Sequence, residues 1–293
     1  MKFKYDSLVI KIFKLVLIFI LFSNINIGNN KALDQVVTDT DTATAWQLLD
    51  NNGSLVLGSN SRVAIIDSGI DWTHPSFYNP INDMSWAVKF DQNNNPYLDL
   101  NSNGVYDPPE TLNYEKVDIV HPNGTVFAQA NIFDVGIDYL FLDKNNNNIR
   151  ELDEPFFLLD DRNLDGKLTP KDYAILLGLP KIEKIYDIKN GQHFTRGVNL
   201  TDPLVNTQKD YDGHGTHVAG IIAGGNPGFT KFTGIAPNAT LLIAKAIDDS
   251  TGLFPENYLI AAIDWAIKEN ADVISMSLGG YDDKFLDGSD NLD

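Results

Sequence analysis

Two residues in this chain sit where the surrounding pattern can put them to chemical use. Asp67 ends the β-branched apolar run Arg62-Val-Ala-Ile-Ile66 and is followed by Ser68-Gly-Ile-Asp71. Such a run, stopped by a turn, is the pattern of a buried parallel strand, and open α/β sheets hold their chemistry at the C-terminal edge of the strands. His214 stands between Gly213 and Gly215, where a segment with Val218, Ile221 and Ile222 on one face predicts a helix. Glycine at a helix start costs stability but leaves room for close approach. An aspartate at a strand end can orient an imidazole through its Nδ1–H, and that imidazole can take a proton from a hydroxyl nucleophile. Taken singly, Asp67 reads as a turn or cap residue and His214 as a helix histidine; the pair is what points to catalysis. His214 and His217 are spaced i, i+3, but the H-E-x-x-H arrangement of a zinc peptidase is absent. His217 reads as a packed helix residue, and His74, His121 and His193 as turn or surface residues.

Positioning two residues 147 apart needs a sheet with crossovers. Leu241-Leu-Ile-Ala-Lys-Ala246 predicts a second strand, and Leu259, Ile260, Ile263, Ala266 and Ile267 recur at helical spacing after Pro255. Asp272-Val-Ile-Ser-Met-Ser277 predicts a third strand closing on Leu278-Gly-Gly280. The alternation implies an α/β fold with a doubly wound parallel sheet and right-handed crossovers. Residues 91–200 read as an insertion: few periodic segments, repeated Asp/Asn clusters, and Pro and Gly as punctuation.

Within that stretch Asp99, Asn101, Asn103, Asp107 and Glu110 occupy positions 1, 3, 5, 9 and 12 of a twelve-residue loop with Gly104 at 6. This is the ligand spacing of an EF-hand calcium loop, in which the carbonyl of Val105 would complete the shell. Asp143, Asn145, Asn147, Glu151 and Glu154 repeat it, with Asn148 for the glycine, since Asn enters the left-handed region more easily than most residues. Asp161, Asn163, Asp165, Thr169 and Asp172 form a third copy with a shorter final carboxylate. The competing reading is a set of solvated Asx turns. Pro108-Pro109 stand at the end of the first loop and Pro155 follows the second, whereas Thr169 as N-cap, Pro170 at N1 and Gly178 past the end predict an exit helix after the third. The expectation is structural calcium in isolated loops rather than a paired sensor.

The composition narrows the function. With 293 residues and 43% hydrophobic side chains the chain can bury a full core. A net charge of -18 repels nucleic acid and anionic lipid, and most of the acidity lies beyond residue 90. Having no cysteine excludes disulfides and thiolate chemistry. Lys2, Lys4, Lys11 and Lys14 lead into the apolar run Leu15–Phe22, so residues 1–30 read as a signal peptide of a secreted protein, too short to span a bilayer. Without a clear small-x-small cleavage site, an uncleaved tether is the alternative. No other membrane contact is expected. Four sequons begin at Asn52, Asn123, Asn199 and Asn238.

Val63-Ala-Ile-Ile-Asp67-Ser-Gly-Ile-Asp71 with His74-Pro75, then Gly213-His-Gly-Thr-His-Val-Ala-Gly220, then Gly234-Ile-Ala-Pro237 and Ser275-Met-Ser-Leu-Gly-Gly280 resemble, in order, the signatures of the subtilisin-like serine proteases, the subtilases or S8 peptidases. The resemblance covers about residues 44–90 and 208–282. It implies that Asp67 is the triad aspartate, His214 the general base, and Ser277-Leu278-Gly279 the edge that pairs with an extended peptide or protein substrate. It also implies a nucleophilic serine roughly 160 residues after the histidine and an oxyanion asparagine roughly 90 after it, yet this sequence ends 79 residues after His214. The expectation is therefore a peptidase domain over 36–293, truncated at its C-terminus and partnered by a missing segment, inactive alone. The alternatives are a calcium-stabilised extracellular binding module or pseudo-protease, and a split enzyme.

Overall fold

The computed structural model describes residue 37 and residues 39–279, apart from 108–109, 115–118, 121–125, 129–131, 152 and 201–209. The apolar leader, Pro108-Pro109, His121, the sequon at Asn123 and Gly280 lie outside the described residues. In chain order the elements are α1 (Thr42–Ala45), β1 (Arg62–Asp67), β2 (Tyr78–Phe90), β3 (Pro96–Leu98), β4 (Leu112–Tyr114), β5 (Ile119–Val120), β6 (Val126–Ala128), β7 (Leu140–Leu142), β8 (Phe156–Asp160), β9 (Tyr173–Pro180), β10 (Ile182–Asp187), β11 (Gln192–Thr195), α2 (His214–Ala223), β12 (Thr240–Lys245), α3 (Glu256–Lys268) and β13 (Val273–Ser275).

One sheet has the order β11-β10-β12-β1-β13, parallel throughout except for β11. The period of two along β1 sorts its side chains between two cores. Val63 and Ile65 pack with Val218, Ala219 and Ala223 of α2, while Ala64 and Ile66 pack with Ala262, Trp265 and Ala266 of α3. Helices on both faces leave no solvent side, which is why β1 and β12 read as unbroken apolar runs. Each fully buried Ile or Leu contributes about 1.5–3 kcal/mol.

The acidic stretch is more regular than its sequence suggests. A second, antiparallel sheet has the order β3-β2-β9-β8-β7-β4. Phe157, Leu159 and Ala174 join Val88, Leu112 and Leu140 on one face, and Phe141, Phe156, Leu158 and Leu177 pack on the other. Its first and last strands begin and end as register partners, Tyr78 with Pro180. The insertion is thus built from residues 78–180, not 91–200: β10 and β11 belong to the parallel sheet. The exit helix expected after Thr169-Pro170 is instead β9. Its alternate residues feed opposite cores, Ala174 and Leu176 one and Ile175 and Leu177 the other, and β8 and β2 take up its backbone hydrogen bonds. Gly178 is no helix stop: a Cβ there would lie 2.4 Å from Ile81 Cδ1.

Lys181 joins the two sheets and is buried. Its Nζ donates to the carbonyls of Ala223 at 2.8 Å and Gly225 at 2.5 Å, closing the C-terminus of α2. Burial pushes its pKa down to about 7. Among the described residues no helix is long and apolar enough to cross a membrane.

Candidate active site

Asp67 is the last residue of β1 and is wholly buried. Its Oδ1 accepts from the Ser68 backbone N–H at 2.7 Å and lies 2.7 Å from Nδ1 of His214. Oδ2 is buried without a protein partner among the described residues. The imidazole of His214 is 45% exposed, and its Nε2 makes no hydrogen bond to any described residue. One ring nitrogen is held and the other is open, the arrangement a general base needs. The hydrogen bond to Asp67 and that residue's charge, with smaller contributions from Asp212 and Asp210, outweigh burial and raise the imidazole pKa above its ordinary 6.5.

What brings α2 to the end of β1 is a polar cluster that motif reading missed. Gly213 opens the helix in the left-handed region, φ 80°, and has no side chain to cap it. Asp210 supplies the cap from outside the helix. Its Oδ2 accepts from the N–H and the hydroxyl of Thr216, both at 2.7 Å, and Oδ1 accepts from Gly213 N at 3.0 Å. Ser68 donates to Asp210 Oδ1 at 2.7 Å and accepts from Gly215 N at 2.9 Å, tying strand end to helix start. Burial pushes the Asp210 carboxyl up, but the hydrogen bonds from Thr216, Ser68 and Gly213 prevail and hold its pKa below the ordinary carboxylate value. A negative group here also favours the helix dipole. The signal was present: a helix starting on Gly-His-Gly needs an external cap, and Asp210 is the nearest upstream candidate apart from Asp212.

Ser277, Leu278 and Gly279 follow β13, which among the described residues is the outer strand of the parallel sheet. Two residues beyond the Ile65–Ser275 register pair come Asp67 and Ser277, so this block lies beside the site, with Ser277 and Gly279 exposed and Leu278 packed against the α3 core. His217 is exposed rather than packed, because on α2 the core takes Val218 and Ala219. His74 and His193 are exposed, as expected.

The three acidic loops join β3 to β4, β7 to β8 and β8 to β9, and share one hydrogen-bonded frame. The carboxylates of Asp99, Asp143 and Asp161 accept from the backbone N–H groups at positions 5 and 6 of their loops. Gly104, Asn148 and Gly166 are all left-handed, with φ 80°, 61° and 71°. At position 12, Glu110, Glu154 and Asp172 are buried and accept from the N–H at position 9. Oδ1 of Asp172 is buried without a partner among the described residues. Thr111, just after the first loop, donates to Asn146, and Asn113 of β4 donates to Asn148, which ties β4 to the second loop. Among the described residues no three carboxylate or imidazole groups are drawn into one metal-sized cluster. In the first two loops the position-9 carboxylate is instead taken by the amide groups of Asn101, Asn103, Asn145 and Asn147.

A profile of the Subtilase family matches residues 58–292. The chain belongs to the subtilase family. The major intracellular serine protease of Bacillus subtilis (strain 168) is 41% identical to this subtilase over 100 residues, which are 33% of this chain and 30% of that protein. Subtilisin E of the same organism is 44% identical over 84 residues, 29% and 22% of the respective chains. This subtilase therefore spans less than a third of the length of these relatives. The CspB protease of Clostridium perfringens is a remote structural neighbour, 17% identical with a TM-score of 0.43 over 86% of this chain and 35% of that one.

The Asp67–His214 pair makes a sign-definite prediction within this subtilase. Replacing Asp67 by Asn removes the charge that raises the imidazole, so the His214 pKa, followed by NMR, is expected to fall. A group raised in the folded state stabilises below its unfolded pKa and loses that contribution as pH rises through its folded value. The stability gap between wild type and Asp67→Asn should accordingly be widest below about pH 6.5 and narrow above it. An unmoved His214 titration would show that the contact does not govern the imidazole.

Proposed function

We propose that this subtilase chain is the base-bearing part of a serine endopeptidase. The reading is carried by one observation: Nδ1 of His214 is held 2.7 Å from a buried aspartate while Nε2 is left open. In this reading Nε2 takes the proton of a serine hydroxyl as its oxygen bonds to the scissile carbonyl carbon. The same imidazolium returns that proton to the leaving amine, and a water then releases the acyl group by the reverse relay. Asp67 fixes the tautomer and stabilises the imidazolium. The serine and the oxyanion donor come from a segment that is not among these 293 residues, since no strand-to-helix turn of the nucleophile type occurs in them. Ser277-Leu278-Gly279, at the open margin beyond β13, would pair with extended substrate. Residues 1–30 act as an export signal, which would make the enzyme extracellular. A fluorophosphonate probe tests the assignment: a longer polypeptide with the serine should be labelled, and residues 1–293 alone should not.

We also propose that the three loops bind calcium structurally through Asp99, Asn101, Asn103, Asp107 and Glu110, through Asp143, Asn145, Asn147, Glu151 and Glu154, and through Asp161, Asn163, Asp165 and Asp172. The threefold repeat of one backbone frame, with two buried carboxylates in each of the first two loops, supports a common ligand of that shape. The ion would join both ends of each loop. At a hundredfold excess over Kd, one site adds about 3 kcal/mol, or roughly 5–10 °C in Tm for a domain of this size. Melting in calcium against chelator reads this directly, and equal Tm values would leave solvated turns.

A further inference from the structure

A cavity of about 290 Å3 opens between the first two acidic loops and the turn at Asp91. Asp91, Tyr106, Asn113, Tyr114, Asn146 and Asn148 are among the residues lining it, and none of the described lining residues is cationic. Its polar groups are partly committed, and the uncommitted remainder has a definite chemistry. Asn146 accepts from Thr111 and Asn148 from Asn113 through their amide oxygens, while their NH2 groups have no partner among the described residues. Asp91 accepts from Asn93 N, Asn95 N and the Asn95 side chain, which orient its carboxylate in the lining. An ionised carboxylate has capacity for a further donor. The cavity therefore presents two amide donors, a charged acceptor and two tyrosine rings.

That combination selects among ligand classes. A phosphate, sulfate or carboxylate would meet Asp91 with no countercharge, and a bare cation is far too small for the space. Neighbouring hydroxyls on a ring each donate and accept, matching carboxamides and a carboxylate, and the C–H face of the ring can lie on an aromatic side chain. The volume is at the lower end of the range for small-ligand sites, about 300–1,000 Å3, which suits one ring. We propose that this cavity binds a single neutral sugar unit of a glycan. The site lies on the insertion and does not depend on the peptidase reading.

Asn146 and Asn148 have φ of 58° and 61°, so glycine at either position keeps the backbone unstrained while removing the donor. Saturation-transfer NMR on the 293-residue protein, with the methyl glycosides of glucose, galactose, mannose and N-acetylglucosamine as probes, should show transfer to at least one. The double variant Asn146→Gly/Asn148→Gly should weaken that binding about tenfold or more, as expected for two lost hydrogen bonds. Asp91→Asn, which keeps an acceptor oxygen for the turn, should weaken it too and guards against misfolding of the glycine variant. Transfer to none of the four glycosides, or unchanged affinity in variants whose melting is intact, overturns the proposal.

Discussion

In a longer form of this subtilase that carries the serine, His214→Ala is expected to abolish peptide hydrolysis, with kcat lower by on the order of 10^6. That magnitude is the one known for subtilisin itself, where loss of the base costs nearly as much as loss of the whole triad. Here it follows from geometry in which the described residues offer no second base: His217, the next histidine on α2, is three positions away and exposed elsewhere on the helix. Asp67→Asn in the same protein should cost about two orders of magnitude less, because the imidazole survives and only its tautomer and charge stabilisation are lost. Residual hydrolysis close to wild type in His214→Ala would remove the histidine from the mechanism. Fluorophosphonate labelling of a serine within residues 1–293, Ser277 being the nearest by motif, would require the nucleophile assignment to be withdrawn.

The second large effect is steric. A Cβ on Gly215 would lie 2.3 Å from the carbonyl oxygen of Gly69, 3.0 Å from its nitrogen and 3.2 Å from Cβ of Asp67. These atoms belong to the last residue of β1 and the turn that follows it, and two are backbone, so the helix itself must retreat. Gly215→Ala is therefore expected to cost about 1–3 kcal/mol or more and to lengthen the contact between Asp67 and His214. A shift of about 1 Å in catalytic geometry is enough for a hundredfold loss of activity. Gly220 on the same helix is the control, because a Cβ there meets nothing within 4 Å. Alanine at Gly220 should raise stability by up to about 1 kcal/mol through helix propensity. Equal melting of the two alanine variants would show that α2 does not press on the strand as closely as described.

The parts of this molecule that could be read from sequence are those where one physical signal dominates. β1, β12 and α3 are long enough, and buried enough, for periodicity to fix their type. The Gly-flanked His214 and the strand-end Asp67 announced a close approach before any fold was known. Asp210 and Ser68 escaped because their role is to bond backbone groups of another element, which leaves no periodic trace. The antiparallel sheet of the insertion escaped for a different reason. Leu140-Phe141-Leu142 is buried on both faces and only three residues long, so alternation is erased. Around it the Asn- and Asp-rich loops dilute every window to the look of coil. At Thr169-Pro170 a helix-start signal lost to tertiary context, since β8 and β2 were waiting to pair with the segment that follows.

The register pairing of Tyr78 with Pro180 brings the two ends of the insertion together, and the insertion also meets the body where Lys231 N donates to Gly136 O and Phe229 packs against the Phe141 core. To the parallel sheet, the whole unit is equivalent to a tight reverse turn between the segment after β1 and the start of β10. Closing a chain over that many residues would otherwise carry an entropic penalty growing as (3/2)RT ln n, but the insertion's own sheet brings its ends together. The closure cost met by the parallel sheet is thereby set by those paired ends rather than by the length of chain between them. Changes of length within the three acidic loops therefore leave unchanged the chain distance that β1, β10 and β12 must close.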